Sequence, residues 1–178
     1  ERIFLSYQKE MKVQNIRPAT VCGWSPRMRL DVSVNMLTLQ ALKYGRITVF
    51  GGQQTRPNIH IQDMVGLYLH LLQLPAAVID GGVYNAGYEN LAVMRIAELV
   101  RDTLSNGANI VVEPTDDLRS YHVSSELMKK ELGFSATHTV EDAIRLLRSG
   151  LHAGQKRGWQ SCARLPLLHR NVILGHVG

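Results

Sequence analysis

Phe50-Gly51-Gly52, followed by Arg56-Pro57-Asn58-Ile59-His60-Ile61-Gln62-Asp63, is the stretch from which the rest of the sequence is read. Gly51-Gly52 closes a short strand over Ile47 to Phe50, and Asn58 to Ile61 reads as a second strand. Asp63 has the side chain of a helix cap, and the helix it opens runs to about Leu74, where Pro75 follows. That helix is apolar nearly all round, with only Gly66, His70 and Gln73 as a thin polar stripe. Such a helix is buried on most sides and needs a large partner surface.

The same alternation continues outward in both directions. Upstream, Val13 to Val21 reads as an extended apolar entry, with Pro18 disfavouring a helix and Gly23 marking the exit. Residues 30–44 form an amphipathic helix in which Leu30, Val34, Leu37 and Ala41 share one face and Asp31, Asn35 and Thr38 a polar one. Downstream, Val83 to Ala86 is a strand, Asn90 caps a helix over Leu91 to Leu104, and Asn109 to Glu113 is a strand. Ser124 to Leu132 is a helix with Gly133 at its end, and Thr139 opens the last helix with Asp142 three residues on. Strands alternating with helices define an α/β fold. From about Gly150 the pattern dissolves. Residues 1–150 therefore form the domain, and residues 151–178 a basic tail expected to be disordered or foreign to it.

The chain has 178 residues, 45% of them hydrophobic, a size that suits one globular domain or a large piece of one. No apolar run reaches the length of a membrane span, so no membrane partner is expected. The net charge of +5 invites a nucleic-acid partner. Residues 151–178, however, carry Lys156, Arg157, Arg164 and Arg170 and no acid, which leaves the domain near neutral. A nucleic-acid binder places its basic face on the folded body, so none is expected here. Cys22 and Cys162 lie far apart and fit a reducing cytoplasm. No Cys, His or carboxylate spacing supports a metal site.

Four segments together resemble the extended short-chain dehydrogenase/reductase family, in particular its NAD-dependent sugar-nucleotide epimerases and dehydratases. Arg17-Pro18-Ala19-Thr20-Val21-Cys22-Gly23 is similar to the family's sixth Rossmann strand and the turn after it. The Phe50–Asp63 stretch is similar to its Gly…Arg-Asp-(Tyr/Phe)-Ile-His-Val-x-Asp. Tyr84-Asn85-Ala86-Gly87 is similar to its Tyr-Asn-x-Gly, and Ser124-Ser125 through Leu132-Gly133-Phe134 to its closing helix. The resemblance covers residues 13–148 and implies the C-terminal part of a Rossmann-type fold, with the smaller substrate-binding lobe.

The family's chemistry implies NAD or NADP in the intact enzyme and a transient keto-sugar. A Tyr whose pKa is lowered by a nearby Lys removes the hydroxyl proton while hydride leaves the sugar carbon. None of the six tyrosines here is followed four residues later by Lys, and none of the 15 glycines lies in a Gly-x-Gly-x-x-Gly loop. No catalytic residue is therefore assigned. The chain is expected to be the substrate-side portion, inactive alone and without strong cofactor binding of its own. A non-catalytic remnant that binds a nucleotide or a protein partner is the alternative, and a homo-oligomer is a further expectation.

By resemblance, Pro18 lies where the backbone passes the nicotinamide, and Thr20 where a side chain contacts substrate. The other reading of both is a strand end shaped by proline. Asn35 matches an Asn near the sugar-nucleotide phosphates, or is a solvated helix position. Thr48 and Phe50 would face the base, with Phe50 either stacking or packed in the core. Arg56, directly before the Ile-His strand, offers a guanidinium that can grip a diphosphate, or makes a surface ion pair. Arg119 sits in Asp117-Leu118-Arg119-Ser120-Tyr121, similar to a loop whose Arg reaches the diphosphate. His60 and Asp63 read as structural. The sequence departs from the family at Glu113-Pro114-Thr115, where relatives carry Arg-Pro-Gly, and at Cys22, where they usually carry Tyr.

Overall fold

The computed structural model describes residues 1–117 and 119–156. The elements, in order, are α1 (Arg2–Ser6), β1 (Asn15–Pro18), β2 (Thr20–Cys22), α2 (Ser33–Tyr44), β3 (Arg46–Phe50), β4 (Thr55–His60) and α3 (Ile61–Leu71). They continue with α4 (Ala76–Ile79), β5 (Val83–Ala86), β6 (Glu89–Ala92), α5 (Val93–Leu104), β7 (Asn109–Glu113), α6 (Glu126–Leu132) and α7 (Val140–Lys156). Among the described residues the strands form three small sheets, in the orders β1-β5, β2-β4-β6 and β3-β7. All pairs are parallel except β4 with β6. The fold is α/β, as the alternation of strands and helices implies.

The extended entry expected over Val13 to Val21 divides at Ala19. Its first part pairs Asn15 with Val83 and Pro18 with Ala86, while its second pairs Thr20 with Asn58. The Ala19 amide still donates to the Ala86 carbonyl at 2.7 Å, so the chain switches sheets at one residue.

Asn90 does not cap a helix. It lies in β6, where its side-chain amide donates to the Val123 carbonyl at 3.0 Å and accepts from the Val123 amide at 2.9 Å. The helix begins later, at Val93. Its first amides are satisfied by the turn between β3 and β4: Val93 donates to the Gln54 carbonyl and Met94 to the Gly52 carbonyl. Backbone acceptors thus replace the expected side-chain cap.

Asp63 does not cap α3 either. His60 does, its Nδ1 accepting from the Gln62 amide at 3.1 Å. Asp63 sits inside the first turn, 5% exposed, and accepts from the Thr137 amide at 3.2 Å, the His138 amide at 2.9 Å and His138 Nδ1 at 2.8 Å. The carboxylate therefore ties α3 to the loop that enters α7. The His138 ring also stacks on His60, with centroids 4.8 Å apart. At Thr139 the expected capping box is present, with Thr139 and Asp142 exchanging backbone-to-side-chain bonds at 2.9 and 3.2 Å.

The core has two parts. Val34, Leu37 and Ala41 of α2 pack with Ile47 and Val49 of β3, Ile96 and Val100 of α5, and Ala143, Ile144 and Leu147 of α7. Met64, Leu67 and Leu71 of α3 pack with Ile59, Tyr84, Met128 and Leu132. Two expectations about helix faces are corrected. Asn35 and Thr38 are buried rather than solvated, because α2 is covered on that side too. The helix α3 is not buried on most sides: Val65, Tyr68, Leu69 and Leu72 are exposed.

The last helix passes through Gly150, where the sequence pattern gives no helix, and continues to Lys156. Gly150 has a packing reason, since a Cβ there would lie 2.1 Å from the Trp24 indole. Of the expected tail, residues 157–178 lie outside the described residues.

Burial and the neighbouring His138 both push the His60 pKa below its ordinary value of 6.5, opposed by Asp63 and Asp142. The unfolded chain then takes up this proton first as pH falls. Stability from a neutral His60 is complete above pH 6.5 and is lost on descending through the folded-state pKa. Urea unfolding at pH 7.5 and 5.5, values spanning about the His range, should show a larger drop for the wild type than for His60→Asn. Parallel drops would contradict it.

Candidate functional site

The site is built on β3 and β4. In β3, Ile47 and Val49 point into the core, so Thr48 and Phe50 turn to the opposite face by the two-residue period of a strand. The Thr48 amide donates to Gln40 Oε1 at 2.9 Å, and the Phe50 carbonyl accepts from Gln54 Nε2 at 2.6 Å. In β4, Arg56 precedes the buried run from Pro57 to His60.

A cavity of about 330 Å³ opens between these strands, the start of α2 and the loop after β7. Thr20, Thr48, Phe50 and Arg56 line it together with Asp31, Ser33, Gln54, Thr115, Asp117 and Tyr121. Four of the residues singled out in the sequence thus meet at one cavity.

The remaining three are placed elsewhere. Asn35 is 2% exposed, accepting from the Gly23 amide at 3.0 Å and donating to the Arg29 carbonyl at 2.8 Å. Those bonds brace the turn after β2 against the entry to α2. Pro18 is exposed at the end of β1, away from the cavity lining. Arg119 also does not line the cavity; its side chain is 84% exposed and forks onto Asp117.

Arg56 is held in place. Its Nη1 donates to the Thr55 carbonyl at 3.1 Å and to the Arg119 carbonyl, and its guanidinium lies 5.6 Å from the Tyr121 ring centroid. Its Nη2 stands 3.7 Å from Asp117 Oδ2, a charge contact too long for a hydrogen bond. Asp117 in turn accepts from Arg119 Nε at 2.7 Å and Nη2 at 2.8 Å. These bonds, the Arg119 amide and the charge of Arg56 hold the Asp117 carboxyl well below the usual carboxylate range. The cavity therefore presents one anchored guanidinium, hydroxyls from Thr20, Thr48, Ser33 and Tyr121, and two carboxylates already paired with arginines. Asp31 pairs with Arg29 at 2.6 Å.

Asp31, Ser33 and Gln54 line the cavity although their sequence context marks none of them as a site residue, and Asp117 and Tyr121 stand out in the sequence only as neighbours of Arg119. An aromatic and an acid two residues either side of an arginine, in a loop after a strand, is the signal that was available for that pair. Glu113, at one of the departures from the family pattern, ends β7 and pairs with Arg46 at 3.3 Å. Cys22 is 1% exposed, and burial pushes its thiol up to about 12, so it is no nucleophile at neutral pH. Among the described residues no cluster of His, Cys, Asp or Glu could hold a metal, and no helix is long and apolar enough to cross a membrane.

Parallel strand pairs covered by helices, with a polar cavity above two strands, place the chain among α/β proteins of Rossmann type. The sequence model of the NAD dependent epimerase/dehydratase family matches residues 1–87 of this chain. The structure is similar to that of UDP-glucuronic acid 4-epimerase from Bacillus cereus, solved with UDP-glucuronic acid and NAD. The two share 21% identity and a TM-score of 0.72, over 85% of this chain and 49% of that one. For UDP-glucose 4-epimerase from Thermotoga maritima, solved with UDP-glucose, the values are 21% identity, TM-score 0.74, and 86% and 51% coverage. For dTDP-glucose 4,6-dehydratase from Bacillus anthracis, solved with NAD, they are 20%, 0.71, and 86% and 50%. The chain spans about half the length of these structures.

Arg56 is the strut between β4 and the loop after β7, which also receives the Thr55 amide on Ser120 Oγ at 2.9 Å. Arg56→Ala should therefore speed hydrogen exchange at Thr55 and across residues 119–121, while the β3–β7 ladder stays protected. Unchanged exchange in that loop would contradict the strut.

Proposed function

We propose that this chain is the substrate-binding portion of an NAD(P)-dependent sugar-nucleotide epimerase or dehydratase. The observation that carries the reading is the convergence of Thr20, Thr48, Phe50 and Arg56 on one cavity. In this proposal Arg56 grips the diphosphate. Its Nη1 is fixed by two backbone carbonyls, so the guanidinium meets the phosphates with little orientational freedom left to lose. Phe50 and Thr48 face the base, and Thr20 contacts the sugar side. Neither Asn35 nor Arg119 is given a direct contact, since each is committed to protein groups.

Bound NAD or NADP supplies reversible hydride transfer at a sugar carbon. In the proposal the cofactor is not held by these residues alone: Pro18 is the one candidate, and the 178 residues contain no Gly-x-Gly-x-x-Gly loop. Nor is there a Tyr-x-x-x-Lys pair. In the proposal this chain binds and orients the substrate, and groups outside these residues move the proton and hydride.

Thermal shift against UDP-, dTDP- and GDP-sugars tests the reading. Ligand at about 100 times its Kd adds about 2.7 kcal/mol of stability. One sugar nucleotide should raise the melting temperature by several degrees, NAD alone should not, and Arg56→Ala should abolish the rise. No rise with any sugar nucleotide, in a folded chain, would favour a non-catalytic remnant.

A further inference from the structure

Arg119 does not line the cavity but grips a residue that does. Its Nε and Nη2 bind both oxygens of Asp117, at 2.7 and 2.8 Å, and its own amide donates to Asp117 Oδ1 at 3.2 Å. Asp117 lines the cavity, and Oδ2 is the oxygen nearest Arg56, 3.7 Å from Nη2. With Nη1 committed to the carbonyls of Thr55 and Arg119, Nη2 has no hydrogen-bond acceptor among the described residues.

The gap matters because the alternative is close at hand. A carboxylate less than one ångström nearer would form a charge-assisted bond to Nη2 and occupy the donor that an anionic ligand needs. Two competing guanidiniums share one carboxylate, and the planar fork of Arg119 has the better geometry. Arg119 thus draws Asp117 away from Arg56.

We infer that Arg119 is a positioning residue. By holding the Asp117 carboxylate in a two-bond fork it keeps Arg56 Nη2 open for a ligand phosphate, without touching that ligand itself. The inference rests on the reading of the cavity as a sugar-nucleotide site and assigns Arg119 a role different from the direct diphosphate contact implied by its sequence context.

The distinguishing experiment is a double-mutant cycle read by titration calorimetry with UDP-glucose, and with inorganic pyrophosphate as a probe lacking base and sugar. In Arg119→Ala the released Asp117 turns to Arg56, and affinity for both probes should fall about tenfold, within the range of a coupled charge pair. The backbone contacts of residue 119 survive in this variant. Adding Asp117→Asn to Arg119→Ala removes the competing charge, and affinity should return to within about threefold of the wild type. Asp117→Asn alone closes the cycle and should change affinity by less than about threefold, since Arg119 already holds that carboxylate; Arg119 as a direct phosphate ligand, or as a merely structural one, predicts the same gain from Asp117→Asn with and without Arg119, and that result would overturn the inference alone. A wild-type chain that binds neither probe would overturn the cavity reading and the inference with it.

Discussion

The strand β4 is paired on both sides, parallel to β2 and antiparallel to β6, and most of what surrounds it depends on that double pairing. Its residues divide the work. Ile59, 1% exposed, seats α3 against the second core cluster. Asn58, equally buried, donates to the Arg56 carbonyl at 2.8 Å and locks the strand's own backbone. His60 ends the strand and caps α3 in the same residue, so the helix leaves without a connecting loop. Arg56 lies at the opposite end, where burial begins to lapse and the cavity opens. A central strand has no freedom to slip, because a one-residue shift would send Ile59 to the opposite face. The core thus fixes the backbone from which Arg56 extends, and the loop it reaches fixes the guanidinium through the Arg119 carbonyl.

That loop is organised around charge. Asp117 takes hydrogen bonds from Arg119 and faces Arg56 across a longer gap, while Asp31 at the other side of the cavity is forked by Arg29. Isolated exposed pairs of this kind contribute little to stability, since solvent screens them. Their value is geometric. They fix where the charged groups around the cavity stand relative to Arg56. The Tyr121 ring beside Arg56 adds a polarisable wall that suits a cation and a planar ligand alike.

Much of this was legible in the residues. The two-residue alternation of β3, the Gly133 end of α6 and the Thr139–Asp142 box are local patterns, and local patterns survive folding. The resemblance singled out Thr20, Thr48, Phe50 and Arg56 among seven residues, and the fold brings these four to one cavity. The failures share a different cause. Asn90, Asp63 and Asn35 all have side chains that suit helix caps or solvent, and each is spent instead on a partner far along the chain or across a turn: Val123, His138 and Gly23. A polar side chain advertises its capacity to bond, not the address of its partner. The same limit hid the packing of Trp24 on Gly150, which lets α7 continue where glycine suggested an end.

The central question is whether a sugar nucleotide enters the cavity above β3 and β4. Amide chemical-shift mapping of the chain titrated with UDP-glucose answers this most directly. Shifts should concentrate at Thr20, Thr48, Phe50, Arg56 and Tyr121, with Asn35 unmoved. Shifts confined to the separate cavity of about 480 Å³ beside Tyr88, Ser125 and Phe134 would contradict this placement.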